Sequence, residues 1–273
     1  MPRYKTKTRK RSEDFEDDSG YDSGYESDGG TEYSPVKPLG AGEYAQARLF
    51  KSISNKAVTV LNPVKTPGDF GEAKIKQRFF QTLYPNKKSH LFSIGTDYRL
   101  VVPYIQYTPY NKLIIDTREF HKILFHSAIK ALKDCHDKGM IVLDLKTDNI
   151  YYDSSTQKSY LIDGGLSVPT GTTIDPFAFQ KSSQEIVEEY KKEYWHIPPE
   201  CWSVKPTAVV ATAKMDIYCL GILMYDLLEN PSSEIQLLID SCLEKDPEKR
   251  PTLAELITSL ESIKDNEKEI ALR

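Results

Sequence analysis

The fold is decided by one stretch, His136-Asp137-Lys138-Gly139-Met140-Ile141-Val142-Leu143-Asp144-Leu145-Lys146-Thr147-Asp148-Asn149-Ile150. After two short tyrosine-containing strands comes Leu161-Ile162-Asp163-Gly164-Gly165. Asp144, Lys146, Asn149 and Asp163 therefore stand on two closely spaced loops. Two solvated turns rich in Asp and Lys are the bland reading, but the order D-L-K-x-x-N-I and then I-D-G argues against it. An acid that accepts a proton, a lysine that offsets negative charge and an Asn–Asp pair of hard oxygen donors together suit phosphoryl transfer with Mg²⁺.

Upstream of this stretch the pattern is glycine-punctuated and rich in β-formers. It predicts strands over 44–50, 57–61, 91–94 and 98–102. One helix interrupts them over 71–83, with Ile75, Phe79, Phe80 and Leu83 on one face and Pro85 beyond its end. After Tyr110 the signals turn helical. Phe120, Ile123, Leu124, Ala128, Ile129, Leu132 and Cys135 recur at helical spacing, and further helices fit 216–228, 235–243 and 252–263. Ser233 with Gln236, and Thr252 with Glu255, have the spacing of capping boxes. A small strand-rich half before a larger helical half predicts two lobes with a ligand cleft between them.

The remainder of the chain sets limits. Its 273 residues allow one large domain or two small ones, and 39% apolar with 28% charged residues is ordinary for a globular protein. No uncharged apolar run approaches the roughly 18 residues of a membrane span, and Met1-Pro2-Arg3-Tyr4-Lys5 lacks the apolar core of a secretory signal. A net charge of −4 gives no reason to expect specific nucleic-acid binding. Cys135, Cys201, Cys219 and Cys242 are too scattered for a disulfide scaffold or a CxxC metal site, so they read as reduced and mostly buried. That usage predicts an intracellular protein, cytoplasmic or nuclear.

Residues 1–33 read as a disordered tail. A basic head (Arg3, Lys5, Lys7, Arg9, Lys10, Arg11) is followed by an acidic, Ser- and Gly-rich stretch without aliphatic side chains, which cannot offset its ordering entropy. The head is a localisation signal, an anionic-surface anchor or a plain solvated run. Asp18-Ser19-Gly20-Tyr21-Asp22-Ser23-Gly24-Tyr25-Glu26-Ser27 resembles overlapping copies of the D-S-G-x-x-S motif. That resemblance implies a ubiquitin-ligase adaptor as partner once Ser19, Ser23 and Ser27 are phosphorylated. Chance occurrence in an acidic segment is the plainer reading.

Taken together, the motifs resemble those of the eukaryotic-type protein kinases. Asp144-Leu145-Lys146-Thr147-Asp148-Asn149 looks like the catalytic loop, Asp163-Gly164-Gly165 like D-F-G and Ile197-Pro198-Pro199-Glu200 like A-P-E. Asp216-Ile217-Tyr218-Cys219-Leu220-Gly221 looks like the start of the central large-lobe helix, and Lys245-Asp246-Pro247-Glu248-Lys249-Arg250-Pro251-Thr252 like the closing arginine segment. The resemblance implies an α+β, two-lobed protein-kinase-like fold over 34–264. Its small β-rich N-lobe with one helix covers 34–105, its reduced, mostly helical C-lobe covers 106–264, and 265–273 form a tail. It implies Mg²⁺ and ATP as cofactors and a protein substrate. Asp144 would orient the substrate hydroxyl and take its proton, Lys146 would neutralise the transferring group, and Asn149 and Asp163 would ligate Mg²⁺. Gly40 and Gly42, from Leu39-Gly40-Ala41-Gly42, would close over the phosphates, although two such glycines alone fit a plain turn equally well. Val102 would back the adenine pocket and Pro103-Tyr104-Ile105 would form the hinge, where Pro103 offers no amide hydrogen. Lys146 at its place resembles serine/threonine-specific members, and a Glu200–Arg250 ion pair is implied inside the C-lobe.

Four departures from the family pattern stand out. The strand expected to read A-V-K reads Ala57-Val58-Thr59, so its ATP-anchoring lysine is absent there. Lys65 is either its replacement, with Glu72 as partner, or an exposed loop lysine. Val142-Leu143-Asp144 replaces H-R-D, so the cation that docks an activation-loop phosphate is missing. Constitutive activity, or activation by a bound partner or an anionic ligand, is then expected. Gly164 replaces the phenylalanine of D-F-G, and the short interval between Leu228 and Leu238 implies a lost helix. Three functions fit: a divergent serine/threonine kinase, a pseudokinase scaffold, or a kinase-fold enzyme acting on a small molecule. The compact C-lobe and linear-motif tail also resemble kinase-like proteins that viral or bacterial pathogens carry into a host cell.

Overall fold

A computed structural model describes residues 25–27, 31–41, 46–52, 56–64, 67–87, 89–94, 97–105, 108–113, 126–174, 184–202, 208–228 and 231–271. The chain divides into two compact units, Met1–Gln106 and Tyr107–Arg273. The first is strand-rich and the second mostly helical, which makes the protein α+β.

The first unit is built on a six-stranded antiparallel sheet. Its strands are β1 (Tyr25–Ser27), β2 (Thr31–Ala41), β3 (Gln46–Ser52), β4 (Ala57–Val64), β5 (His90–Ile94) and β6 (Asp97–Pro103), in the order β1-β2-β3-β4-β6-β5. β-branched and aromatic side chains suit this pleated surface, and Tyr33, Phe50, Val58, Val60 and Val101 form a buried cluster. Helix α1 (Pro67–Leu83) packs on β4, β5 and β6, with Phe79 and Phe80 buried. It starts four residues before the expected Gly71, because Pro67 is well suited to a first helical turn. Tyr84 follows its last residue, and Pro85 bars further extension.

The expected disorder over 1–33 does not hold at its end. Tyr25, Glu26 and Ser27 pair with Tyr33, Glu32 and Thr31. Backbone ladder bonds need no aliphatic side chain, and buried Tyr33 anchors the partner strand in the core. Ser27 of the D-S-G repeat thus lies in β1, whereas Ser19 and Ser23 fall outside the described residues.

The second unit begins with β7 (Thr108–Pro109) and α2 (His126–Asp137); Phe120, Ile123 and Leu124 lie outside the described residues. Next come β8 (Met140–Ile141), β9 (Ile150–Asp153), β10 (Lys158–Leu161), β11 (Val168–Pro169) and β12 (Thr173–Ile174). Helix α3 (Gln184–Glu193), β13 (Val209–Val210) and helices α4 (Ala213–Leu227), α5 (Ser233–Cys242) and α6 (Leu253–Ala271) complete it. β7, β9 and β10 form one small sheet, while β8 pairs with β11 and β12 with β13. Every residue of α4 from Met215 to Met224 except Tyr218 is buried, as expected of a central helix surrounded by protein. α4 reaches α5 across only residues 228–232.

Two boundaries shift. The N-cap of α5 is Ser232, whose Oγ accepts from the Ile235 amide, and not Ser233 as the capping-box spacing suggested. Adjacent serines both offer a cap, and Ser232 has the extended backbone the position needs. α6 continues to Ala271, past the expected end at 263, because 264–271 contain no proline or glycine. Its start follows the box that the sequence implied. Thr252 Oγ1 accepts from the Glu255 amide at 3.2 Å, and the Glu255 carboxylate accepts from the Thr252 amide at 2.7 Å.

Candidate active site

The candidate site is assembled between β8 and β9. The chain leaves β8 through Val142 and Leu143, and Leu143 adopts φ 63°, a left-handed conformation uncommon for a side chain of this size. Asp216, in the first turn of α4, holds it there. Asp216 Oδ1 accepts from the Leu143 amide at 2.8 Å, and Oδ2 accepts from the Val142 amide at 2.8 Å and lies 2.9 Å from His136 Nε2. Asp216 is fully buried, so its charge depends on these partners. The turn then delivers Asp144.

Asp144 is the hub. Oδ1 accepts from Lys146 Nζ at 2.9 Å and lies 2.7 Å from His196 Nε2. Oδ2 accepts from Asn149 Nδ2 at 2.6 Å, and the same Nδ2 donates to the Asp144 backbone oxygen at 3.0 Å. Burial alone would push this carboxyl up. The hydrogen bond from His196 and the Lys146 charge outweigh that and hold it below the usual carboxylate range. Asp144 is therefore an ionised acceptor at neutral pH.

Asp163 is brought alongside through the backbone. The Ile162 amide donates to the Asn149 carbonyl at 3.0 Å, tying the residue before Asp163 to the loop that carries Asn149. Asp163 Oδ1 accepts from the Gly165 amide at 2.9 Å, and Ser167 closes the turn by donating its amide and hydroxyl to the Gly164 carbonyl. With Nδ2 spent on Asp144, Asn149 can offer its Oδ1 to a ligand. That oxygen and the Asp163 carboxylate are hard donors of the kind Mg²⁺ takes. Among the described residues no group of three or more His, Cys, Asp or Glu is placed to hold a metal. A cation here would complete its shell with phosphate and water oxygens.

The sequence-predicted residues of the first unit are placed as follows. Gly40, next to last in β2, stands opposite Ala47, while Gly42 lies outside the described residues. Thr59 is buried in β4 opposite Val102, itself buried in β6. Tyr104 and Ile105 follow β6 directly, Tyr104 half-buried. Glu72, in α1, is bonded to Lys76 one turn along at 2.8 Å, and Lys65 falls outside the described residues. Any cation recruited by Glu72 would compete with Lys76.

Sequence reasoning missed His196 and the clamping role of Asp216. His196 stands four residues before Glu200, and that proximity was its only signal. The clamp could have been suspected from an aspartate in the first turn of a mostly apolar helix. Leu143 was read only as a missing cation. It is in fact 1% exposed in a cluster with Ile141, Ile197, Cys201, Ala211 and Met215, so this place is a core position here.

A second cluster of the same unit is a buried ion pair. Arg250 donates from both terminal nitrogens to Glu200, at 2.6 and 2.7 Å, and from Nε to the Glu244 carbonyl at 2.8 Å. Its guanidinium lies over the Tyr218 ring at 5.0 Å. The four cysteines are free and buried, and burial pushes the Cys201 and Cys242 thiols up to about 12. They are inert packing groups. No helix among the described residues is long and apolar enough to cross a membrane.

Comparison with known proteins agrees with this geometry. The protein kinase domain family matches residues 33–232. The membrane-associated tyrosine- and threonine-specific cdc2-inhibitory kinase of Drosophila melanogaster is 25% identical over 154 residues, covering 53% of this chain and 28% of the relative. Serine/threonine-protein kinase ppk34 of Schizosaccharomyces pombe is 29% identical over 147 residues, covering 49% of this chain and 41% of the relative. Serine/threonine-protein kinase Nek9 of Xenopus laevis is 24% identical over 277 residues, covering 82% of this chain and 27% of the relative. The match thus spans less than half the length of each of these curated relatives. A family match over most of the chain, joined to the Asp144–Lys146–Asn149 cluster and the Glu200–Arg250 pair, means that the chain belongs to the protein kinase domain family.

Proposed function

We propose that the chain is a serine/threonine protein kinase, transferring the γ-phosphate of ATP to a protein hydroxyl with Mg²⁺. The observation that carries this reading is Asp144: a buried, ionised carboxylate fixed by three side chains, one of them a lysine two residues on. Asp144 orients the incoming hydroxyl and takes its proton. Lys146 keeps about a third of its side chain exposed, so its ammonium can serve both Asp144 and the phosphoryl group. Asn149 Oδ1 and Asp163 hold the cation. When bound, Mg²⁺ offsets the phosphate charge and ATP supplies the phosphoryl group. Gly40, Gly42, Val102 and Tyr104 form the nucleotide side of this reading, with Lys65 as the cation that Thr59 does not supply.

The test is transfer of label from γ-labelled Mg-ATP to a generic basic protein, followed by phosphoamino-acid analysis. Phosphoserine or phosphothreonine is expected. Phosphotyrosine alone would contradict the specificity, and label on solutes but not protein would point to a small-molecule substrate.

Buried Thr59, standing where the family's lysine is expected, favours a second reading, a scaffold that binds partners without transferring phosphate. Mg-ATP raises the melting temperature of a protein that binds it, so an unchanged Tm at millimolar Mg-ATP would favour the scaffold.

A further inference from the structure

His196 is given no role of its own in the reading above, where it is only one of the three side chains on Asp144, yet it makes the shortest contact to Oδ1 of Asp144, 2.7 Å across 52 residues of sequence. It is 4% exposed, in the segment that runs from α3 into Pro198-Pro199-Glu200. An ionised carboxylate only accepts, so the imidazole must donate from Nε2. A carboxylate offers about four acceptor sites. Lys146 and His196 fill both sites on Oδ1 and Asn149 fills one on Oδ2. A single site on Oδ2 is left for a substrate hydroxyl.

We propose that His196 is a positioning residue for phosphoryl transfer, its Nε2–H fixing Asp144 so that the remaining Oδ2 site faces the substrate hydroxyl. The proposal rests on the kinase reading and extends it to regulation. The bond ties the segment before Glu200 directly to the catalytic loop. Leu143 is packed in the core and cannot receive a phosphate, so this bond does the ordering that a phosphate-docking cation would otherwise provide. The device is therefore built in and independent of phosphorylation.

Three variants of the full chain test it: His196→Ala, His196→Gln and His196→Asn, with Tm recorded for each. The glutamine amide nitrogen reaches the place of Nε2, whereas the asparagine amide reaches only that of Nδ1. The expected result is that the Ala and Asn variants lose kcat by about tenfold or more, with KM for ATP unchanged, while the Gln variant stays within about threefold of wild type. Gln and Asn variants that lose activity equally, or an Ala variant with wild-type kcat, would overturn the proposal.

A reading independent of turnover comes from ¹H–¹⁵N NMR of the histidine side chains. A low-field His196 Nε2–H resonance, lost in Asp144→Ala, is expected. Its absence from the wild type would also overturn the proposal. Wild-type protein that shows the resonance but transfers no phosphate would contradict the kinase reading itself, and with it any catalytic role for the bond.

Discussion

Asp216 Oδ1 holds the Leu143 amide at 2.8 Å while Leu143 is at φ 63°. The next residue is Asp144, so the direction of its carboxylate is set by a carboxylate 72 positions away on the first turn of α4. A left-handed leucine costs energy, and burial of its side chain with Ile141 and Met215 helps to offset that cost. Replacing Asp216 with Ala leaves the Val142 and Leu143 amides buried without an acceptor. A loss of about 3 kcal/mol is expected in urea denaturation, with Asp216→Asn losing less because it keeps one acceptor oxygen. Equal stability of Asp216→Ala and wild type would show that the clamp does not hold the turn.

Restoring the family's arginine at 143 is expected to harm the protein. A guanidinium would replace a side chain that is 1% exposed among Ile141, Ile197, Cys201, Ala211 and Met215. Leu143→Arg should cost ~3 kcal/mol or more and give no response to phosphorylation. Thermal denaturation checks the first part. The second is checked by replacing the Ser and Thr residues of 166–197 with Ala in Leu143→Arg and in the wild type, which should leave the activity of each largely unchanged.

Removing Glu200 strands the Arg250 charge, whose side chain is wholly inaccessible to solvent. Glu200→Ala is expected to lose about 3–5 kcal/mol in equilibrium unfolding, more than Glu200→Gln, which keeps one acceptor. A loss under about 1 kcal/mol would mean that the remaining carbonyl partners suffice.

Gly221 of α4 lies tight against the end of α5. A Cβ there would meet Cys242 Cβ at 2.6 Å and Leu243 Cδ2 at 3.0 Å. Neither helix can yield without disturbing the buried core around it, so Gly221→Ala should destabilise by about 1–3 kcal/mol despite alanine's higher helix propensity. A higher Tm for the variant would show that the helices can part at no cost.

Acid should weaken the site through Asp144. Its folded-state pKa is depressed, so its contribution is present above the ordinary carboxylate pKa and is lost as pH falls through the lower folded value. The unfolding free energy of wild type relative to Asp144→Asn should therefore shrink from about pH 6 to about pH 3. A gap that widens in acid would reverse the assigned direction.

The clustering of Asp144, Lys146 and Asn149 was legible in the sequence because the three lie within six residues, with Asp163 following one hairpin. β3, β4, β5 and β6 and the starts of helices α4 and α6 were legible from periodicity, whereas β1 and β2 were not and α6 runs eight residues past its expected end. His196 was not legible, because its partner is 52 residues distant and no local pattern records the contact. Leu143 illustrates a different limit. Sequence comparison registers the absent charge, whereas its burial appears only when Ile197, Ala211 and Met215 arrive from elsewhere in the chain. At the start of α5 the pattern was right and the register one residue off, because Ser232 and Ser233 are both competent caps. Ser232→Ala is accordingly expected to cost about 1 kcal/mol, and Ser233→Ala close to nothing.

The central claim is that Asp144 and the groups bonded to it form a catalytic centre. The most direct measurement is initial-rate phosphate transfer from Mg-ATP to a basic protein, comparing wild type with Asp144→Ala at matched folded fractions. Transfer by the wild type is expected, with a fall of about a hundredfold or more in the variant. Equal rates in the two proteins, or no transfer by a wild type that binds Mg-ATP, would contradict the claim.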